Sequence, residues 1–240
     1  MARRTEKQTR GGGATDGRVL LVDKPKEWTS FDVVKRVRRL LRLRKVGHAG
    51  TLDPQATGLL IVCTGSETRN VGQFIALEKE YEGTLELGIR TDSFDSEGKV
   101  LASLPWEGLS EEVLRETAAG LEGRQSQVPP MFSAVKHAGR PLYRYARRGH
   151  TVERTPREIE VMEFTLTALR LPFVDFRVRC SKGTYIRSLV DEFGQRLGCG
   201  ATLRELRRTR IGSYSVSDAL SMDDLERMTP PVHPAGGMDR

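Results

Sequence analysis

One acidic residue, Asp53, lies in a setting that suits catalysis by a carboxylate. It precedes a proline, is flanked at a short distance by Gly50 and Gly58, and is followed by the uncharged run 59–63. Because the proline ring disfavours the helical region for the residue before it, Asp53 must adopt an extended or turn conformation. The pattern predicts a rigid loop that offers one acid at the edge of a buried strand. Taken alone, the pattern also fits a plain Asp-Pro turn without chemistry.

A tyrosine and an arginine in other predicted elements are candidates to assist such an acid. Tyr81 opens a strand of alternating apolar and polar residues, which on periodicity alone predicts a core or face residue with a hydrogen-bonded hydroxyl. Arg187 lies at the start of a helix that follows another alternating strand. Residues at such junctions point into a site more often than residues within an element, although an arginine at a helix start also fits a solvent-exposed position.

Composition and charge narrow the class of protein. The chain has 240 residues, enough for one large domain or for one domain with an insertion. Its 39 Lys and Arg against 32 Asp and Glu give a net charge of +7, which predicts a polyanionic partner, most commonly a nucleic acid. No apolar run approaches the roughly 20 residues that span a bilayer. The N-terminus has no apolar signal core, so we expect a cytosolic protein without a membrane partner.

Neither a disulfide scaffold nor a metal site is expected. Cys63, Cys180 and Cys199 are odd in number, widely spaced and lack a CxxC pair, which indicates reduced, buried thiols. The three acids between Asp92 and Glu97 do not have EF-hand spacing, and a hydrogen-bonded surface turn explains them better than a cation site. Because there is also no glycine-rich phosphate loop, we expect no cofactor.

Residue periodicity predicts a protein of mixed helices and strands. Strands are predicted at 19–22, 79–87, 159–169, 174–180 and 211–216. Helices are predicted from Thr29 or Ser30 to Leu41, at 71–77, from Ser110, from Thr184 to Leu197, at 200–209 and after Ser221. Residues 1–16 are polar, basic and glycine-rich, which predicts a mobile tail.

Two stretches are candidates for contacts with a nucleic acid. Residues 35–45 contain seven Lys and Arg and no acid, which favours phosphate contacts by at least part of this helix face over simple solubility. Aromatic and basic residues interleave between 129 and 149, a pattern typical of binding to single-stranded or loop RNA, although it also occurs on ordinary helix surfaces. The residues predicted to bind RNA there are Lys136, Arg140, Tyr143, Arg144, Arg147 and Arg148.

Several of these segments resemble the TruB family of tRNA pseudouridine synthases, and the similarity spans roughly residues 17–225. It is carried by Gly-His-Ala-Gly-Thr-Leu-Asp-Pro at 47–54, Lys-Glu-Tyr at 79–81, the stretches 91–98 and 180–187, and Leu-Arg-Arg at 206–208. The resemblance implies an α+β fold with a mixed, largely antiparallel sheet, flanking helices and an inserted RNA-binding subdomain at about 108–155. It implies a catalytic domain at 17–228 and a tail at 229–240, without the full C-terminal RNA-binding domain of longer members.

The resemblance also implies a substrate and residue roles. The substrate expected is the uridine at position 55 in the T-loop of tRNA, which is flipped from its stack and isomerised to pseudouridine without a metal. Asp53 is the essential residue, Tyr81 lies against the target base, and Arg187 pairs with Asp53. The residues expected to bind or support the substrate site are Lys24 in the turn beneath the loop, His48 against displaced bases, Tyr185 beside the ion pair, and Leu206 in the base pocket.

Two other functions also fit parts of the sequence. A basic RNA-binding protein without catalysis accounts for the charge and the aromatic residues but not for Asp53, Tyr81 and Arg187 together. A metal-dependent nuclease would have to use Asp92, Asp95 and Glu97. The sequence leaves open whether Asp53 acts as a nucleophile or as a base toward the ribose. We expect a monomer.

Overall fold

The computed structural model of the protein describes residues 17–228, so the predicted tails at 1–16 and 229–240 lie outside the described residues. Helices are α1 (Ser30–Leu40), α2 (Val71–Ala76), α3 (Glu111–Ala119), α4 (Leu142–Ala146), α5 (Ile186–Arg196) and α6 (Met222–Arg227). Strands are β1 (Val19–Lys24), β2 (Val46–Ala49), β3 (Thr57–Thr64), β4 (Lys79–Leu87), β5 (Ile89–Thr91), β6 (Val100–Ser103), β7 (Gly123–Gln127), β8 (Lys136–His137), β9 (Arg140–Pro141), β10 (Arg157–Arg170), β11 (Phe173–Cys180), β12 (Ala201–Ile211) and β13 (Tyr214–Ser215).

One nine-stranded sheet organises the described residues. Its spatial order is β1-β3-β12-β4-β11-β10-β7, with β2 paired to β3 and β13 paired to β12. All of its pairings are antiparallel except the short parallel contact between β3 and β12. The predicted α+β class with a mixed, largely antiparallel sheet is therefore confirmed.

Helices cover both faces of this sheet, which explains the uncharged run 59–63 in β3. Leu60 and Val62 pack with α1 and α6 on one face, whereas Leu59, Ile61 and Cys63 pack on the other. A strand that is buried on both faces has no position where a charged side chain could reach water. A separate large cluster joins α3 and α5 to strands β4, β10, β11 and β12.

The prediction of a short basic helix at 200–209 is wrong, because these residues form β12. This strand pairs with β4 from the Ala201–Leu87 pair to the Ile211–Lys79 pair. Its leucines, arginines and glutamate favour helices as isolated residues. Pairing with a buried neighbouring strand overrides that local preference, since strand formation depends mainly on tertiary context.

The insertion expected at about 108–155 divides into two parts. Leu114 and Ala118 of α3 pack into the large core cluster, and β7 pairs with β10 in the main sheet, so residues 111–127 belong to the main body. Residues 128–156, between β7 and β10, leave the sheet and contain only the β8–β9 hairpin and α4. We call residues 128–156 the inserted segment.

Other features of the described residues bear on the expected class. Cys63, Cys180 and Cys199 are buried, and none forms a disulfide within residues 17–228. No helix in this range is long and apolar enough to cross a membrane. In the same range, no group of three or more His, Cys, Asp or Glu side chains is arranged to hold a metal ion.

The packing of α5 on the sheet predicts the effect of one substitution. A Cβ atom at Gly194 of α5 would lie 2.0 Å from the backbone nitrogen of Ala201, so Gly194→Ala must push the helix away from β12. We expect the free energy of unfolding, measured by urea denaturation, to fall by about 3 kcal/mol. The matched control is Gly72→Ala in α2, where no atom lies within 4 Å of the added Cβ. The control should be neutral or stabilising by about 0.5–1 kcal/mol, and equal losses in both variants would contradict the close contact.

Candidate active site

The loop between β2 and β3 presents Asp53 as its sequence predicts. Gly50 and Gly58 adopt positive φ values of 91° and 101°. The carbonyl of Asp53 accepts a hydrogen bond from the Ala56 N–H at 3.1 Å, which closes a turn. The Asp53 side chain is 47% exposed, although β3 behind it is buried. The loop therefore holds one carboxylate where a ligand can reach it.

Two residues that precede the loop in the chain, Lys24 and Ser30, fix the loop backbone by hydrogen bonds. Ser30, the first residue of α1, accepts a hydrogen bond from the Leu52 N–H at 2.9 Å and donates one to the Leu52 carbonyl at 3.2 Å. The Lys24 ammonium donates to the carbonyls of Pro25, Trp28 and Pro54 at 2.9, 2.6 and 3.1 Å. These bonds tie the start of α1 and the end of β1 to both sides of Asp53.

Lys24 therefore supports the Asp53 loop through backbone carbonyls. Its side chain is fully buried and its donors are already engaged with backbone carbonyls. Burial lowers the pKa of Lys24 to about 8, which is still above neutral pH, so the ammonium keeps its proton there.

Arg187 of α5 lies directly against Asp53. Its Nε is 2.9 Å from Asp53 Oδ2, and its side chain is only 6% exposed. Its terminal nitrogens donate to the carbonyls of Ser93 and Phe132 at 3.1 and 2.8 Å. A guanidinium held on several sides cannot rotate away, so it fixes the orientation of the carboxylate and stabilises its negative charge.

A second carboxylate, Asp95, shares this arginine, and the sequence analysis missed it. Its Oδ2 lies 3.3 Å from Arg187 Nη1, while its Oδ1 accepts hydrogen bonds from the Ser93 hydroxyl and the Glu97 N–H. The acids at 92–97 do form a hydrogen-bonded turn, as predicted. The pattern within the turn does not reveal that one of them faces an arginine that lies 92 residues later in the chain.

A cavity of about 390 Å³ opens beside the Asp53–Arg187 pair. Its lining includes Tyr81, Tyr185, Ile186 and Leu206 as well as the pair itself. The Tyr185 backbone is held by Gln127, whose carboxamide accepts from the Tyr185 N–H at 2.8 Å and donates to its carbonyl at 3.1 Å. The volume lies within the range of small-ligand sites, and the aromatic and apolar walls suit a planar base.

Arg208 forms part of the cavity lining and is another residue that the sequence analysis missed. It is buried and donates to the carbonyls of Leu59 and Gly50 at 2.8 and 3.1 Å. Burial raises the pKa of Tyr81, and the charge of Arg208 and its hydrogen bond with the phenol partly oppose that rise. Residues 206 and 208 share one face of β12 because side chains alternate along a strand. The mistaken helix prediction hid this relation.

Comparisons with known proteins match this chain along most of its length. A family profile described as TruB family pseudouridylate synthase (N terminal domain) matches residues 38–186. A second profile, described as tRNA pseudouridylate synthase B C-terminal domain, matches residues 187–230. The chain belongs to the TruB family. The predicted enzyme class, a pseudouridine synthase, is therefore confirmed.

Individual TruB relatives and solved structures agree with this membership. A protein of Opitutus terrae named tRNA pseudouridine synthase B is 52% identical over 213 residues, covering 89% of this chain and 88% of that protein. One of the same name from Chloroherpeton thalassium is 46% identical and covers 88% and 89%. The crystal structure of the archaeal box H/ACA sRNP Nop10-Cbf5 complex contains a chain of similar fold, with a TM-score of 0.65 and 29% identity over 87% of this chain. This chain spans about half of that longer one, 52% of its length.

His48 of the TruB motif lies on β2, where it pairs with Val62 of β3, and does not line the cavity. Burial lowers the pKa of its imidazole, so the ring is neutral at neutral pH. Its Nδ1 is buried without a hydrogen-bond partner in the described residues. A neutral ring suits stacking or van der Waals contact with a base better than it suits phosphate binding.

The inserted segment connects the predicted RNA-binding residues to the cavity. Lys136, Arg140, Arg144, Arg147 and Arg148 are exposed, and none of them forms an ion pair within residues 17–228. Arg147 lies over the Tyr143 ring, 5.6 Å from its centroid. The same segment supplies residues 133–135 to the cavity wall and the Phe132 carbonyl to Arg187.

Arg187 pairs with both Asp53 and Asp95. We therefore expect Asp95 to affect catalysis by positioning Arg187, without touching the substrate. Asp95→Asn keeps the shape of the side chain but removes the charge that holds Arg187 Nη1. We expect kcat to fall by about 10- to 100-fold, which corresponds to about 1.4–2.7 kcal/mol of activation free energy, and the Kd for tRNA to change little. Both quantities are measured on the same protein preparation.

The control for this variant is Asp92→Asn in the same turn. Asp92 accepts a hydrogen bond from the Lys99 N–H and does not contact Arg187. The Asp92→Asn variant should keep its kcat within about twofold of that of the unchanged protein. If the two variants lose kcat equally, the turn as a whole matters and the assigned role of Asp95 is wrong.

Proposed function

We propose that this protein isomerises uridine 55 in the T-loop of tRNA to pseudouridine, with Asp53 as its catalytic carboxylate. The observation that supports this most directly is the Asp53–Arg187 pair, 2.9 Å apart, at a base-sized cavity in a TruB family member. The relatives named tRNA pseudouridine synthase B support tRNA as the substrate. Position 55 in the T-loop comes from the motif resemblance.

The reaction needs a base removed from its stack and a carboxylate close to its ribose. The N1–C1′ bond breaks, the uracil turns, and a C5–C1′ bond forms, after which the C5 proton leaves and N1 is protonated. Asp53 acts in its ionised form, either as a nucleophile or as a base toward the ribose. The exposed half of its side chain faces the ligand while Arg187 holds the other side. Removing the target uracil from its stack costs a few kcal/mol of free energy.

The cavity walls have roles that match this chemistry. Tyr81 and Leu206 provide flat and apolar surfaces against which a flipped uracil can pack. The Tyr81 phenol is buried and neutral, so it can accept or donate a hydrogen bond at the base. Tyr185, held through its backbone by Gln127, lines the same cavity as the ion pair. None of these roles requires a metal or a cofactor.

The inserted segment is proposed to hold the T-loop over the cavity. Its exposed basic side chains lack carboxylate partners in the described residues and so are free to bind phosphates. Tyr143 offers a ring on which an unstacked base can lie. We also propose that the protein is a monomer and is located in the cytosol.

The essential role of Asp53 is tested by tritium release from a tRNA transcript labelled at uracil C5, in the presence of EDTA. We expect the unchanged protein to release about one tritium per tRNA from the T-loop. Asp53→Asn should release none, because an amide can neither attack C1′ nor act as a base. Its Kd for tRNA should stay within about threefold. The control is Asp218→Asn, an exposed residue outside these motifs.

Two other results would change the proposal. Loss of tRNA binding in Asp53→Asn would make the residue structural rather than catalytic. Tight tRNA binding without tritium release by the unchanged protein would favour the alternative of a non-catalytic RNA-binding protein.

The role of the inserted segment is tested with the triple variant Arg140→Gln, Arg144→Gln, Arg148→Gln. Each lost phosphate contact should reduce by about 0.7–0.9 the steepness with which the logarithm of the association constant for tRNA falls with the logarithm of the salt concentration. We therefore expect a slope smaller by about 2 and a KM for tRNA raised about tenfold, with kcat at saturating tRNA within about threefold. An unchanged salt slope would remove these residues from the RNA interface.

A further inference from the structure

One buried hydroxyl in the cavity wall has no hydrogen-bond partner. Ser133 of the inserted segment lines the same cavity as Asp53 and Arg187. The residue is only 5% exposed, and its Oγ is buried without a hydrogen-bond partner among residues 17–228. In that part of the chain two other buried side-chain atoms share this property, Arg38 Nε and His48 Nδ1, and neither residue lines the cavity.

An unpaired hydroxyl at this position indicates that a ligand completes its hydrogen bonding. Buried polar side-chain atoms are nearly always bonded, because leaving one unpaired costs free energy. Another serine in the same cavity wall shows the usual arrangement, since Ser181 Oγ accepts a hydrogen bond from the Glu160 N–H at 2.9 Å. A serine hydroxyl has one donor and two acceptor sites, so Ser133 can pair with a polar group of a bound base.

The backbone around Ser133 is held on both sides. The carbonyl of Phe132 accepts a hydrogen bond from Arg187 Nη2 at 2.8 Å. The carbonyl of Ser133 accepts one from the Tyr143 N–H at 3.1 Å, and that of Val135 accepts one from the first N–H of α4 at 2.7 Å. The hydroxyl is therefore kept at the cavity in the free protein, so little ordering remains to be done when a ligand binds.

We infer that the Ser133 hydroxyl donates a hydrogen bond to a carbonyl oxygen of the uracil in the cavity. This inference rests on the proposed function and adds one substrate-binding residue to it. Flipped bases are read by hydrogen bonds to their polar edge, and uracil offers two carbonyl oxygens there, O2 and O4. Ile186 and Leu206 of the same wall have no polar side-chain atom that could serve these oxygens.

The proposed reaction explains how one fixed donor can serve both substrate and product. The bond to C1′ moves from N1 to C5 while the base stays in the cavity. A half turn of the ring about the line through N3 and C6 makes this exchange, and the same half turn exchanges O2 with O4. A donor that faces one carbonyl oxygen of uridine therefore faces the other one in pseudouridine. The Ser133 hydroxyl holds both forms of the base at the same depth in the cavity.

The first test compares the stability of Ser133→Ala with that of Ser221→Ala. Ser221 caps α6, where its Oγ accepts from the Asp224 N–H at 3.1 Å and donates to the Asp224 carboxylate at 2.6 Å. Removing this bonded hydroxyl should lower the thermal midpoint of unfolding by about 2–4 °C. Ser133→Ala should leave the midpoint unchanged or raise it, because it removes an unpaired group. An equal fall in both variants would mean that the Ser133 hydroxyl has a partner within the protein, and the inference would be wrong.

The second test measures the Kd of the unchanged protein and of both variants for two RNA hairpins with the same T-loop. One hairpin carries pseudouridine at the target position and the other carries an abasic site, so neither is converted by the protein. Ser133→Ala should raise the Kd for the pseudouridine hairpin about tenfold and change that for the abasic hairpin by less than about twofold. Ser221→Ala should change neither Kd by more than about twofold. Equal effects of Ser133→Ala on the two hairpins would overturn the contact with the base.

The third test uses a hairpin that carries uridine labelled with tritium at C5. Because the donor serves both forms of the base, Ser133→Ala should show a kcat/KM about tenfold below that of the unchanged protein. Ser221→Ala should stay within about twofold. An unchanged kcat/KM in Ser133→Ala would contradict a contact with the substrate base.

These measurements distinguish failure of this inference from failure of the proposed function. If the unchanged protein releases tritium and Ser133→Ala binds and reacts normally, only the role of Ser133 is wrong. If no tRNA gives release, the proposed function fails. The comparison of the pseudouridine and abasic hairpins does not need turnover, so it still decides whether Ser133 contacts a base in the cavity.

Discussion

The buried guanidinium of Arg187 connects three separate segments of the candidate site to α5. It bonds to Asp53 from the β2–β3 loop, to Asp95 and Ser93 from the turn after β5, and to Phe132 from the inserted segment. Removing one partner of a buried charge leaves the other uncompensated, which is costly. These three segments and α5 are therefore positioned together. The carboxylate at the cavity is oriented by the same group that joins the inserted segment to the main body.

Other buried cations act on the backbone rather than on acids. Lys24 binds three carbonyls beneath the Asp53 loop, and Arg208 binds the carbonyls of Leu59 and Gly50 on the other side of it. A loop has few regular hydrogen bonds of its own, and buried carbonyls need donors. Long cationic side chains supply several donors from one position. Such bonds keep the loop rigid enough to hold a reactive group in place.

The described charges divide into those that stabilise the fold and those that face solvent. Arg90 pairs with Asp191, and Arg207 pairs with Asp23, so these arginines are neutralised within the protein. The inserted segment instead presents exposed cations that have no acidic partner among residues 17–228.

The sequence by itself determined the reactive loop, the alternating strands and the basic character. These depend on local rules: proline restricts the residue before it, glycine permits positive φ, and period-two alternation marks a half-buried strand. Only the tertiary structure decided that residues 201–211 form a strand, that Lys24 is buried, and that Asp95 and Arg208 belong to the site. These outcomes depend on pairing between residues far apart in the chain, and a local pattern contains no information about which distant strand or charge will be its neighbour.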